Sequence, residues 1–158
     1  MTPETWLSVA WRPALDLLPG RFDTGQACAM ILAICLQESG LRHRLQIHGP
    51  ARGWPQFERN GLLGVHAHPA SQAMAISVCR ELGYEATTDA TYDAVADNDV
   101  LSCAMARLLL WTLPMALPER GEVDGSWRQY VSAWRPGKPH AQTWAGHFAR
   151  AEEVVYGT

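Results

Sequence analysis

Glu38 is the residue in this chain best placed to move a proton. It stands just beyond an apolar run, residues 27–36, that reads as the body of a helix, and Ser39-Gly40 follows it. Two effects there favour a neutral carboxyl. The C-terminal end of a helix carries partial negative charge, and apolar surroundings disfavour a carboxylate. A carboxyl kept protonated near neutral pH is what general acid catalysis requires. The competing reading is an ordinary solvated glutamate at a helix end. Gly53-Trp54-Pro55-Gln56 begins fifteen residues after Glu38. Gly53 permits close backbone approach, and Gln56 offers both a donor and an acceptor to a polar ligand. A structural turn would explain the same four residues. Glu58, twenty residues after Glu38, could hold a water as a second acid. The commoner outcome for it is an ion pair with Arg52 or Arg59.

Other side chains carry weaker signals. Trp54, Tyr130 and Trp134 could line a groove, as tryptophan and tyrosine do where a flat ligand face must be stacked, or they could pack in the core. His66 and His68 form an HxH pair, but no further His, Cys or carboxylate completes a set with metal-ligand spacing, so no metal and no cofactor is expected. His43 and His48 fall in a loop and could face a ligand. Arg42, Arg44 and Arg52 form a local basic cluster. The chain has no phosphate-binding glycine loop and no signature of a catalytic serine or cysteine.

The elements that must position these residues are helices. Thr2-Pro3-Glu4 is a helix start, Leu7, Leu15 and Leu18 give that segment an apolar face, and Pro13 is expected to kink or split it. Asp23-Thr24 caps the run through Leu36, which is apolar nearly all round and so reads as central, with Gly40 placed to end it. Residues 41–68 lack helical periodicity and read as a long ordered loop or small hairpin. Pro69-Ala70-Ser71 opens a helix through Leu82, residues 91–96 read as a short helix, and Asp97-Asn98-Asp99 caps one over 100–113. Ser126 is expected to cap a helix ending near Trp134, and residues 140–155 close the chain as a helix. The sum is one mainly α domain over residues 1–158.

Bulk properties bound the function. A chain of 158 residues with 47% hydrophobic and 18% charged residues suits one globular domain. A net charge of -3 and the lack of a basic helix argue against a nucleic-acid partner. The longest apolar run, ten residues, is far below the ~20 needed to span a bilayer, so no membrane is expected. The opening MTPETWLSVAW lacks a cationic segment and an apolar core, so it does not read as a secretory signal. Cys28, Cys35, Cys79 and Cys103 form no CxxC pair and are expected to be small buried hydrophobes in a reducing compartment.

Taken in order, three short motifs resemble those of lytic transglycosylases and goose-type lysozymes. Glu38-Ser39 resembles the family's Glu-Ser, in which the glutamate closes a central helix as the catalytic acid. Gly53-Trp54-Pro55-Gln56 resembles its Gly-Leu-Met-Gln. Tyr130-Val131-Ser132-Ala133-Trp134-Arg135-Pro136-Gly137 is similar to its third motif, Ala-Tyr-Asn-Ala-Gly-Pro-Gly, with Trp134-Arg135 as a departure. The resemblance spans roughly residues 24–148 and implies a lysozyme-like helical domain with a loop beside an active-site groove. It implies cleavage of the β-1,4 bond between N-acetylmuramic acid and N-acetylglucosamine in peptidoglycan, by lytic transglycosylation or by hydrolysis. Glu38 would be the general acid/base, with Ser39, Gly53, Gln56, Glu58, Tyr130 and Trp134 in the substrate site. The arginine cluster would then meet the anionic peptide stems. The stretch from Gln37 to Glu58 further resembles phage-encoded members, which implies carriage in a virion, with tail or particle proteins as partners, or release as an endolysin. The alternative from the same resemblance is an inactive lysozyme-like structural or binding component of a phage particle.

Overall fold

A computed structural model describes residues 1–157. Its centre is α3 (Gly25–Glu38), whose residues from Ala27 to Cys35 are all buried. Thr24 caps it by accepting from the Ala27 N–H at 3.1 Å. A helix apolar on every side must be enclosed on every side. α9 (Ala141–Tyr156) lies along it, and α7 (Asp99–Trp111) packs against it as well. Gly25 makes the approach to α9 possible, because a Cβ there would stand 2.6 Å from the Tyr156 ring. Asn98 caps α7, accepting from the Leu101 N–H at 2.9 Å.

Pro13 is absorbed without breaking its helix. The chain runs as α1 (Pro3–Trp6), a wider π-turn over Leu7–Trp11, and α2 (Arg12–Leu15). The Arg12 N–H bonds to Leu7 O, five residues back. That extra residue accommodates a ring with no N–H to give. A 3₁₀ turn over Gly20–Phe22 then leads into α3.

The expected long loop over residues 41–68 is shorter in the structure, because its second part is α4 (Arg59–Ala67). Gly61 and Gly64 hide the helix from a periodicity reading, yet Leu62 and Val65 are fully buried. Gly61 has a packing reason, since a Cβ there would meet the Phe57 ring at 3.4 Å. α5 (Gln72–Glu81) and α6 (Thr88–Ala94) pack on α4, and α4 and α5 pack on α7. The hairpin amounts to two isolated antiparallel bridges, Leu45 with Arg52 and Arg52 with Phe57; the described residues form no strand.

α8 (Val123–Trp134) begins three residues before Ser126, which is therefore not its cap. Ser126 is buried and bonded on both sides: its hydroxyl donates to Val123 O at 2.7 Å and accepts from Trp144 Nε1 at 2.9 Å. All four cysteines are free and buried. The molecule is mainly α, and among the described residues no helix is long and apolar enough to cross a membrane.

Candidate functional site

Glu38 is the last residue of α3. The backbone turns sharply after it, with φ of +60° at Gly40 and +56° at Leu41. Ser39 fastens the turn. Its hydroxyl donates to Trp54 O at 2.7 Å, with Cys35 O next at 3.0 Å, and it accepts from the Leu41 N–H at 3.2 Å. The helix end and the loop carrying Gly53 and Gln56 are therefore joined through one side chain.

The loop is held from below. Gly53 has φ of +75°, and a Cβ there would stand 2.6 Å from Ser102 Oγ and 2.8 Å from Val95 O. Gly53 is thus a packing residue against α7 and the end of α6, not a surface for ligand. Its carbonyl accepts from Gln56 Nε2 at 2.8 Å and from the Gln56 N–H at 3.0 Å. Gln56 itself has φ of +55°. With its nitrogen engaged, Gln56 keeps an Oε1 that has no hydrogen-bond partner among the described residues and is not fully buried, so it remains available as an acceptor. Trp134 Nε1 donates to Pro55 O at 2.7 Å, and the Trp134 ring packs on Phe57 at 5.7 Å.

Tyr130 completes the constellation from α8. It is buried, and its hydroxyl donates to Glu38 Oε1. The Glu38 carboxyl is pushed up from its ordinary pKa chiefly by burial. The Tyr130 bond opposes that shift, the Glu58 charge reinforces it, and His140 opposes it. The Tyr130 hydroxyl is in turn pushed well up, by burial first and by Glu38 second.

Three expectations are corrected. Glu58 pairs with neither arginine: Arg52 binds Asp93 at 2.6 Å and Arg59 binds Asp89 at 2.6 Å, both from the α6 side. Glu58 is left exposed just ahead of α4. Trp54 does not line a groove; it is 3% exposed, beneath the Arg44 guanidinium, which lies 4.2 Å from its ring. The basic cluster is mostly occupied, because Arg44 holds Asp99 with two bonds of 2.9 and 2.8 Å and Arg52 is paired. The HxH pair serves local structure, with His66 Nε2 2.8 Å from Thr91 Oγ1 and His68 Nδ1 accepting from the Ala70 N–H at 3.0 Å. Among the described residues no group of three His, Cys, Asp or Glu could hold a metal.

Glu38 opens on a cavity of about 250 Å³ bounded by Ser39, His43, Leu45, Ile47 and Gln56. Leu45 and Ile47 are 60% and 69% exposed and form its outer rim. Neither was legible as a site residue, since an apolar residue in a loop gives no sign of which way it faces. A second cavity, of about 460 Å³, adjoins it through Ser39 and His43 and reaches His147 on α9. His147 belongs to a network around Gln37 that no local spacing announces, because Gln37 lies more than a hundred residues from its partners His140, Thr143 and His147. Comparison of the chain with protein-family models, with curated proteins and with solved structures gives no match.

Proposed function

We propose that the protein is a peptidoglycan-cleaving glycosidase of the lysozyme-like kind, with Glu38 as its general acid/base. The observation that carries the reading is a convergence. Tyr130 bonds to Glu38, Ser39 bonds to the Trp54 carbonyl, and Trp134 bonds to the Pro55 carbonyl. Three motifs far apart in the chain thus meet around one desolvated carboxyl at the mouth of a cavity.

The chemistry follows from the two carboxyl oxygens. Tyr130 occupies Oε1, which leaves Oε2 as the oxygen able to carry a proton to a ligand. Glu38 gives that proton to the oxygen linking N-acetylmuramic acid to N-acetylglucosamine, and the C–O bond breaks with the electron pair leaving on that oxygen. The resulting carboxylate then takes a proton from the nucleophile that closes on the sugar carbon. In lytic transglycosylation the nucleophile is the 6-hydroxyl of the same muramic acid and the product is an anhydro sugar; in hydrolysis it is water. Burial of a single carboxyl favours the first, since glycosidases working through water commonly employ two. Glu58, exposed and without an ion-pair partner among the described residues, is the residue that would hold the water in the second. Gln56 Oε1 accepts from a sugar hydroxyl or acetamido N–H, and Leu45 and Ile47 cover an apolar sugar face. The step needs no cofactor.

Mass spectrometry of muropeptides after digestion of a cell-wall suspension tests the reading. Anhydro products are expected from the wild type, and Glu38→Gln is expected to fold normally and lose at least ~100-fold in rate. A wall left intact by the wild type would retire the enzyme and leave an inactive lysozyme-like component of a particle. The phage setting is part of the same proposal, and proteomics of purified particles against late infected cytoplasm distinguishes a virion enzyme from an endolysin.

A further inference from the structure

The larger cavity beside Glu38 holds two unused polar groups of opposite kind. The first is on His147. Gln37 Nε2 donates to His140 O at 2.9 Å, and a carbonyl can only accept, so the amide orientation is fixed. The other amide atom, Oε1, lies 2.8 Å from His147 Nδ1 and 3.0 Å from Thr143 Oγ1. Nδ1 must therefore carry the ring proton, which leaves Nε2 with a lone pair. Burial pulls the His147 pKa down and keeps this neutral tautomer in place at neutral pH. Among the described residues Nε2 has no hydrogen-bond partner, and it is not fully buried, which leaves it available as an acceptor.

The second group is the Arg42 guanidinium. Its stem lies over Gly40, with Cδ 3.7 Å from where a Gly40 Cβ would stand. Its neighbours in the basic cluster, Arg44 and Arg52, hold carboxylates, whereas Arg42 holds none among the described residues. It lines the cavity together with His147, His43 and Ser39. A plain anion would satisfy Arg42 and be repelled by the lone pair of His147. A plain amide would satisfy His147 and leave the charge alone.

We propose that this cavity binds an N-acyl amino acid group, whose amide N–H donates to His147 Nε2 and whose carboxylate accepts from Arg42. The carrier of that group rests on the reading of Glu38 as a glycosidase acid: on a peptidoglycan strand it is the peptide stem of muramic acid. The site then grips the stem-bearing sugar next to the bond that Glu38 cleaves.

The test is a titration of the full chain with N-acetylalanine, N-acetylalaninamide and acetate, followed by the ¹H–¹⁵N signals of the His147 imidazole and the Arg42 guanidinium. N-acetylalanine is expected to shift both saturably, and each truncated probe to bind at least about fivefold more weakly. Arg42→Gln, a change at an exposed loop residue, is expected to weaken N-acetylalanine about tenfold while the melting temperature stays at the wild-type value. No saturable shift at His147, or acetate binding as well as N-acetylalanine, would overturn the proposal. The titration needs no turnover. An inactive protein that binds N-acetylalanine as described refutes the glycosidase reading alone, and an active one that does not bind it refutes this inference alone.

Discussion

Glu38 ties the proposed chemistry to a measurable property of the folded chain. Burial raises its pKa above that of the unfolded state, so folding favours the neutral carboxyl. What Glu38 contributes to stability is fully present below the unfolded pKa, near 4.3 for a glutamate, and is lost as pH rises through the raised folded value. Above that value the protein carries a desolvated charge. Glu38→Gln removes the charge and keeps an acceptor for Tyr130, so it is expected to melt higher than the wild type at neutral pH, with the gap closing in acid. Melts across that range check the sign, and a variant less stable than wild type at neutral pH would mean the carboxylate is welcome where it sits. Tyr130 acts in the opposite sense, because its bond lowers the Glu38 pKa. Tyr130→Phe is therefore expected to move the Glu38 titration to higher pH, along with the alkaline limb of activity. An NMR titration of the Glu38 carboxyl reads this without substrate.

At the scale of elements, the helices were legible where they bury a continuous face and obscure where glycine interrupts it. α3 announced itself through an unbroken apolar run, and the acid at its end followed from that. α4 did not, because Gly61 and Gly64 fall inside it and only Leu62 and Val65 mark its buried side. The start of α8 is obscured for a related reason: Ser126 looks like a cap, but its hydroxyl bonds inside the helix and to Trp144. The contact of Tyr130 with Glu38 is not legible locally, since the two lie 92 residues apart. Ion-pair partners were wholly illegible, as Arg52 and Arg59 reach α6 residues remote in sequence instead of the neighbouring Glu58. The loop between α3 and α4 gives the sharpest test at this scale. Gly53→Ala would place a methyl group against Val95 O, a backbone atom that cannot rotate away, at a φ of +75°. Strain at that φ and overpacking together are expected to cost about 2 kcal/mol or more. Denaturant titration measures the loss, and a Gly53→Ala protein as stable as wild type would show that the loop can lift from α7 freely.

For the whole molecule, the core and the site share one stack of rings. Tyr130 lies flat on Trp144, with centroids 4.7 Å apart and planes 7° from parallel, and Trp144 continues onto Phe148 at 6.2 Å. Trp127 closes the group against both Tyr130 and Trp144. This stack joins α8 to α9, and α9 is the helix that lies along α3. The hydroxyl that holds Glu38 is thus positioned by the packing of the C-terminal half of the chain. Trp144→Ala is expected to cost about 3–5 kcal/mol for a fully buried tryptophan, and it leaves Ser126 without its Trp144 donor. Its second effect is at the site. With no ring beneath it Tyr130 has space to shift, and each displacement from Glu38 Oε1 removes the interaction that lowers the Glu38 pKa. Trp144→Ala is therefore expected to move the Glu38 titration upward, as Tyr130→Phe does. The two changes act through the same bond, so combining them should move the titration less than the sum of the single shifts. Trp144→Phe, which keeps a ring under Tyr130, should lose about 1 kcal/mol with the bond to Ser126 and leave Glu38 titrating as in the wild type. A Trp144→Ala protein whose Glu38 titrates unchanged would show that Tyr130 is held by α8 alone.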